Sequence, residues 1–588
     1  MVSLEKTMST PQKQIEISLQ NFFKDLDIDP HFGKIKASDR PDLCDYQCNG
    51  ALGAGKALKK NPILIAENLI HTLKECHPEI EFTIAGPGFI NIKLPNTSLC
   101  HYLNNNSPLS FDRDKQKIII DYCGPNVAKP MHVGHLRSTI IGESLKRLCQ
   151  YMGNEVIGDI HMGDWGTQMG MMIYELSLRY PNLPYFDPDF YGPYPENSPV
   201  TLDNLQEIYP IISAKCKEDP IVLEKARTAT VELQQGRKGY QALWQHFVDV
   251  SIQDMKEHLE KLDVDFDQWF GESRYQEKIP PLLQTLTAHK IAREDEGALI
   301  VDVAEDTDTA PIPPLLLRKK DGGFLYATTD LATIEERIKE FGAERIIYVV
   351  DGRQSLHFEQ VFRAAKKCGL QAQYDFIGFG TMNGSDGKPF KTRAGGVMRL
   401  GDLIEMLVSE AQSRIEEAGL GQDLSSKELK DIAQKIGIAA LKFADLQHDP
   451  VQNYQFDLQK FMRFEGKTGP YILYAAVRIQ SVILKAQEAG IQKGPIQEVL
   501  LEEERDLILA LTRFEDYILR AYDRLSPNVL CDYAFELAQK FSRFYQSAHI
   551  LNEKDPAIQS SRLTIAEKTL AVLQTLTQLL SIQIPEKM

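Results

Sequence analysis

The sequence predicts a multidomain α/β protein: a Rossmann-like parallel-sheet core with a helical insertion, a small α+β unit before it, and an all-α bundle after it. Three observations predict this. Short apolar strands alternate with helical periodicity at βαβ spacing between about residues 111 and 425. Strand signals cease beyond about 425, where helical periodicity continues to the end. The 588 residues exceed what one hydrophobic core organises, so three or four domains of roughly 100–200 residues are expected.

Residues 1–110 read as the small α+β unit. Asn61-Pro62 opens a helix over Asn61–Leu73, with Ile63, Ile65, Ala66, Leu69 and Ile70 as its apolar stripe. Two strands, Phe82–Ile84 and Phe89–Leu94, flank the turn Gly86-Pro87-Gly88, and Asn104–Pro108 reads as a linker.

In the core, residues 111–425, the strand Ile118–Ile120 is followed by a helix over Leu136–Met152. That helix carries Leu136, Ile140, Ile141, Leu145 and Leu148 on one side and stops at Gly153-Asn154. Glu155–Ile160 is the next strand. The same order returns at Ile346–Val350, Phe358–Lys367 and Phe376–Phe379, so two βαβ halves are separated by an insertion at about 180–295. Within the insertion, the aromatic and proline-rich segment Tyr180–Pro199 precedes mostly helical patterns. Residues 426–588 contain five helical stretches: Lys427–Leu446, Pro470–Ala486, Leu500–Ala521, Asp532–His549 and Ser561–Leu580.

Composition sets weaker bounds. A net charge of −16 does not point to nucleic acid, but a basic patch can be local, so the total is neutral on that question. No apolar run reaches the roughly 20 residues needed to span a bilayer, and the first residues lack the pattern of a secretory signal. A cytoplasmic protein is expected, and without a coiled-coil seam, a monomer. Nine dispersed cysteines read as free thiols. Cys44 and Cys48 lack the second Cys/His pair a zinc site needs, and read as buried small side chains.

The chemistry is concentrated where the first strand runs into Asp121-Tyr122-Cys123-Gly124-Pro125-Asn126-Val127-Ala128-Lys129-Pro130-Met131-His132-Val133-Gly134-His135 and then a helix. Open α/β sheets bind ligands beyond the carboxyl ends of their strands, where a loop meets a helix N-terminus, so this loop is placed for a nucleotide. Gly134 removes a side chain where a flat base can lie on backbone. His132 and His135, three apart at a helix start, share one side and can donate to phosphate oxygens as charge develops on them. The same spacing also occurs in metal ligands and in unrelated surface residues. A metal site would want a third ligand and supporting carboxylates, and no H-E-x-x-H pattern is present, so no protein-bound metal is expected.

The segment Pro125–His135 resembles the signature of class I aminoacyl-tRNA synthetases, in the form found in arginyl-tRNA synthetases. Further matches follow in order: Asp45–Ala51, Leu136–Gly142, Gly163–Gln168, Tyr326–Ala332, Phe390–Gly396 and the terminal Pro585-Glu586-Lys587-Met588. The resemblance implies ATP-dependent ligation of L-arginine to tRNA(Arg) through an arginyl-adenylate, with Mg-ATP as substrate. It also implies an N-terminal tRNA-contacting domain, a C-terminal anticodon-binding bundle that opens near Gly469–Arg478, and bound tRNA as a prerequisite for activation.

Site residues follow from the resemblance. His132, Gly134 and His135 would hold ATP. Asp330 would accept the substrate guanidinium, bordered by Tyr326 four residues earlier on the same helical face, with Asp121 as a second carboxylate. Asn126 and Gln354 would hold the α-amino end. The second phosphate loop departs from the general K-M-S-K-S pattern, because Thr392 stands where its second lysine would fall. Lys129, just before the histidines, is expected to supply the missing cation, with Lys388, Lys391 and Arg393 adding charge in the loop. Phe541, Phe544 and Tyr545, at helical spacing, read as core packing more than as base-stacking surfaces.

Two other readings remain at this point. One is a class I synthetase for glutamate, glutamine, cysteine or lysine, which the Tyr326/Asp330 pair and the N-terminal unit disfavour. The other is a non-catalytic RNA-binding paralogue or a small-substrate nucleotidyltransferase. The intact histidines argue against the first of these, and the flanking domains against the second.

Overall fold

A computed structural model describes residues 10–105, 111, 113–320, 322–384, 386–388, 390, 398–417, 419 and 424–588. It forms two compact units, each assembled from separate stretches of chain. One comprises residues 1–112, 474–520 and 533–575, and the other comprises 113–473, 521–532 and 576–588. The first unit draws together residues from the expected N-terminal segment and from the expected C-terminal bundle, and buried ion pairs explain part of this.

In the first unit, strands β1 (Ile35–Ala37), β2 (Tyr46–Cys48), β3 (Glu81–Ala85) and β4 (Phe89–Lys93) form an antiparallel sheet in the order β1-β2-β4-β3. The helix Pro62–Cys76 starts where its Asn61 side chain accepts from the Ile63 N–H, as the Asn-Pro signal predicts. Asp45, 2 % exposed, accepts from both terminal nitrogens of Arg505 at 2.8 Å and from the Leu94 N–H at 2.7 Å. Arg513 lies over the Tyr46 ring. A sequence distance of more than 400 residues is thus closed by groups that would be left charged and dry if separated. The expected helix Leu500–Ala521 is two helices, Glu502–Thr512 and Phe514–Arg524, with the Tyr46-bound Arg513 between them. The expected linker begins inside the helix Asn96–Asn105, and 106–108 lie outside the described residues.

The second unit is built on five parallel strands: β5 (Lys117–Asp121), β6 (Glu155–Met162), β7 (Gln268–Gly271), β11 (Arg345–Asp351) and β12 (Gln373–Phe379). Their order is β12-β11-β5-β6-β7, with Ile119 opposite Ile346 and Ile157. Continuous apolar runs such as Ile118-Ile119-Ile120, all fully buried, mark strands covered on both faces. Three insertion helices, Leu202–Glu218, Pro220–Gln234 and Lys238–Lys261, precede β7. The expected insertion is therefore interrupted after Lys261 by β7, which belongs to the core sheet, before the helix Ile279–Ala288. Strands β8 (Ala292–Asp295), β9 (Ala298–Val301) and β10 (Leu315–Arg318) form a small antiparallel sheet, and β13 (Met382–Asn383) pairs with β14 (Tyr454–Gln455). The helix Ser426–Leu446 belongs to this unit, held by the buried Arg137–Asp445 pair at 3.0 Å.

Candidate active site

The helix Val133–Tyr151 leaves the carboxyl end of β5 and is fixed to the sheet by Ser138. Its hydroxyl accepts from the Cys123 N–H at 2.8 Å and donates to the Val349 carbonyl at 2.5 Å. One side chain therefore ties the helix to the ends of both central strands. The loop between them is pinned from other sides. Gln168 donates to the Val127 carbonyl at 2.8 Å, Ser251 accepts from the Ala128 N–H at 2.9 Å, and Val127 donates to the Gly163 carbonyl. A Cβ on Gly163 would come within 2.4 Å of the Asn126 side-chain oxygen, so this glycine gives Asn126 its place.

The two histidines cap the helix. The Gly134 N–H donates to Nδ1 of His132 at 3.0 Å, and the His132 N–H donates to Nδ1 of His135 at 3.1 Å, with the rings stacked 4.0 Å apart. Burial, then the charge of Lys129, lowers the His132 pKa. Burial, then His132 and Lys129, brings that of His135 down to about 3. Both rings are neutral near pH 7. Because each Nδ1 accepts, each proton sits on Nε2, which makes the outward nitrogen a donor. Gly134 has a reason beyond the one read from the sequence: a Cβ there would lie 2.7 Å from the folded-back His132 ring. Beside these groups is a cavity of about 210 Å³ whose lining mixes the apolar Val133, Phe379, Met382 and Phe390 with the charged Arg137, Asp351 and Arg353.

Tyr326 and Asp330 lie on the helix Tyr326–Lys339, with Tyr326 71 % exposed. Nε2 of His357 lies 2.6 Å from a carboxylate oxygen of Asp330. Gln354 is exposed at the start of the helix Ser355–Lys367 that carries His357. Asp121 is engaged elsewhere: a terminal nitrogen of the fully buried Arg337 lies 2.6 Å from Asp121 and 2.5 Å from Asp159. Asp121, Asp159 and His161 converge as metal ligands can, but this guanidinium already meets both carboxylates.

A carboxylate not singled out in the sequence faces the Tyr326/Asp330 end. Glu272 opens the short turn Glu272–Tyr275 after β7. Its carboxyl is pushed up to about 7, first by burial, against the opposing pull of His161, and further by Asp164 and Asp330, while burial and then Glu272 raise the Tyr326 hydroxyl. Asp164 fixes that turn by accepting from the Ser273 N–H at 2.9 Å and its hydroxyl at 2.6 Å. The Gly163–Gln168 stretch thus braces both the histidine loop, through Gln168, and the Glu272 turn, through Asp164. Lys388 is exposed; Lys391, Thr392 and Arg393 lie outside the described residues.

Comparison with known proteins agrees with this geometry along the whole chain. Residues 99–458 match the class I (R) tRNA synthetase catalytic domain, 472–588 the DALR anticodon binding domain, and 10–94 the arginyl tRNA synthetase N terminal domain. An arginine–tRNA ligase of Alkaliphilus oremlandii is 47 % identical over 585 residues, covering 98 % of this chain and 99 % of that one. One of Hyphomonas neptunium is 44 % identical over 590 residues, covering 99 % and 100 %. Among solved structures, the arginyl-tRNA synthetase of Plasmodium falciparum shares the fold at a TM-score of 0.80 and 24 % identity, covering 99 % of this chain and 100 % of that one. With three domain matches in the order the sequence implies and near-complete relatives above 40 % identity, the chain belongs to the arginyl-tRNA synthetase family.

Proposed function

We propose that the chain activates L-arginine with Mg-ATP and transfers it to tRNA(Arg), with the residues of the described site in defined roles. The arginine carboxylate attacks the α-phosphate in line, pyrophosphate leaves, and arginyl-adenylate forms. The terminal ribose hydroxyl of the tRNA then attacks the carbonyl. No side-chain nucleophile is needed, so positioning and charge stabilisation carry the rate. His132 and His135 donate from Nε2 to phosphate oxygens. Lys129, whose charge both histidines feel, compensates the leaving pyrophosphate, with Lys388, Lys391 and Arg393 contributing from the second loop. Gly134 borders the base.

The observation that carries specificity is the acidic pair at the amino-acid end. Among the described residues Glu272 forms no ion pair, and Asp330 pairs only with the ring of His357. A guanidinium supplies the planar cation that Asp330, Glu272 and Tyr326 would share, while Asn126 and Gln354 take the α-amino end. Asp121 then belongs to the support, holding Arg337, in place of the direct contact expected from the sequence. We read the enzyme as a cytoplasmic monomer that needs tRNA for activation. Nine unbonded cysteines, most of them buried, support the compartment. No helix among the described residues is long and apolar enough to cross a membrane.

Exchange of labelled pyrophosphate into ATP, run with each amino acid and with or without tRNA(Arg), tests this. Arginine-driven exchange that appears with tRNA is the expected result. Exchange driven by glutamate or lysine, with none for arginine, overturns the specificity.

A further inference from the structure

We propose that Tyr209, on the insertion helix Leu202–Glu218, is a positioning residue that holds the Lys129 ammonium ready for the departing pyrophosphate. The proposal rests on the reading of Lys129 as the cation that replaces the one missing at Thr392.

The geometry is specific. Nζ of Lys129 lies over the Tyr209 ring, 4.5 Å from its centroid. The root of the lysine is immobilised, because Ala128 before it adopts φ 62° and donates to Ser251, while Val127 is held by Gln168 and Gly163. Nothing in that backbone fixes the tip of a four-carbon arm. The ring does. Tyr209 is in turn fixed by its helix, which buries Leu205, Ile208, Ile212 and Cys216 and is capped by Thr201 with Asn204.

The choice of partner matters chemically. Among the described residues Lys129 has no carboxylate partner. An acidic neighbour would hold the ammonium tightly and cancel the charge the phosphates need. An aromatic face attracts the ammonium through its quadrupole without neutralising it, and more weakly, so a polyphosphate can draw it away. The insertion helix would thus restrict where the cation can be before ATP binds, and leave its charge whole once ATP arrives.

The test is a double-mutant cycle on ATP–pyrophosphate exchange using Tyr209→Leu, Tyr209→Phe, Lys129→Met and the Leu/Met pair, each checked by thermal melting. Tyr209→Leu is expected to lower the exchange kcat about tenfold with the arginine KM unchanged. Tyr209→Phe, which keeps the π face, should recover most of it. In the Lys129→Met background, Tyr209→Leu should add nothing. Transfer of arginine from preformed adenylate to tRNA should be unaffected by Tyr209→Leu. If the Leu variant melts early, Tyr209→Met takes its place in the cycle. An equal loss from Tyr209→Leu with or without Lys129, or a slow Lys129→Met beside a fully active Tyr209→Leu, overturns the proposal alone. Full exchange by Lys129→Met overturns the reading of Lys129 and the proposal with it.

Discussion

Asp121 and Asp159 face each other in register on adjacent strands of the central sheet, while Asp330 and Glu272 sit on the segments that follow β10 and β7, so both pairs are acidic groups of one catalytic unit. Their environments differ in one respect. The first pair is buried and shares the guanidinium of Arg337, a residue of the chain itself. The second is partly open and has a histidine ring but no resident guanidinium among the described residues. Carboxylates alike in type and in place at the sheet thus differ in whether a compensating cation is already built in. A dry pair without one is untenable, whereas a half-open pair can wait for its cation in water.

Three perturbations bear on this contrast. The largest effect is expected for Arg337→Met, which leaves Asp121 and Asp159 buried without a cation. A stability loss of about 3–5 kcal/mol should be measured by urea unfolding, with part recovered by Arg337→Lys. An unchanged midpoint would mean that the first pair does not depend on Arg337. Next is Asp330→Asn, which removes a charged acceptor at the open pair. It should lower kcat/KM for arginine about 10- to 100-fold while the KM for ATP and the unfolding midpoint hold.

The smallest effect is the pH dependence of arginine binding. The Glu272 carboxyl is raised to about 7 in the free protein, mainly by burial, and a bound guanidinium favours its ionised form. Below pH 7 the free protein therefore carries a proton that must leave on binding. The arginine KM should rise by up to about tenfold per pH unit as the pH falls below 7, and flatten above it. Glu272→Gln should abolish the slope. A KM independent of pH between 6 and 8 in the parent enzyme would place Glu272 outside the arginine pocket.

Much of the architecture was legible because burial on two faces leaves a plain signature. Ile118–Ile120, Ile346–Val350 and the helix after His135 read directly, as did Asn61-Pro62. Strand β7 did not. Gln268, Trp269 and Phe270 are each only partly buried, as at a sheet edge, and show neither a continuous run nor an alternation. Missing β7 also concealed Glu272, which follows that strand directly and is placed by its parallel pairing with β6. Asp121 was the converse case. Its position at the end of the first strand was right, but its partner Arg337 lies 216 residues away, and no local pattern shows that its charge is already answered. Phe541 and Phe544 are fully buried, in keeping with core packing, and Tyr545 lies under the Arg478 guanidinium.

The helix cap formed by His132 and His135 has a consequence for the second half-reaction. A ring whose Nδ1 lone pair is committed to a backbone N–H, and whose Nε2 bears hydrogen, has no basic site left. Neither imidazole can then serve as a proton acceptor unless it gives up its cap hydrogen bond. The hydrogen released when the ribose hydroxyl attacks must pass to some other oxygen or nitrogen, such as one on the adenylate's own phosphate. The way this helix begins thus restricts its two histidines to one direction of proton traffic.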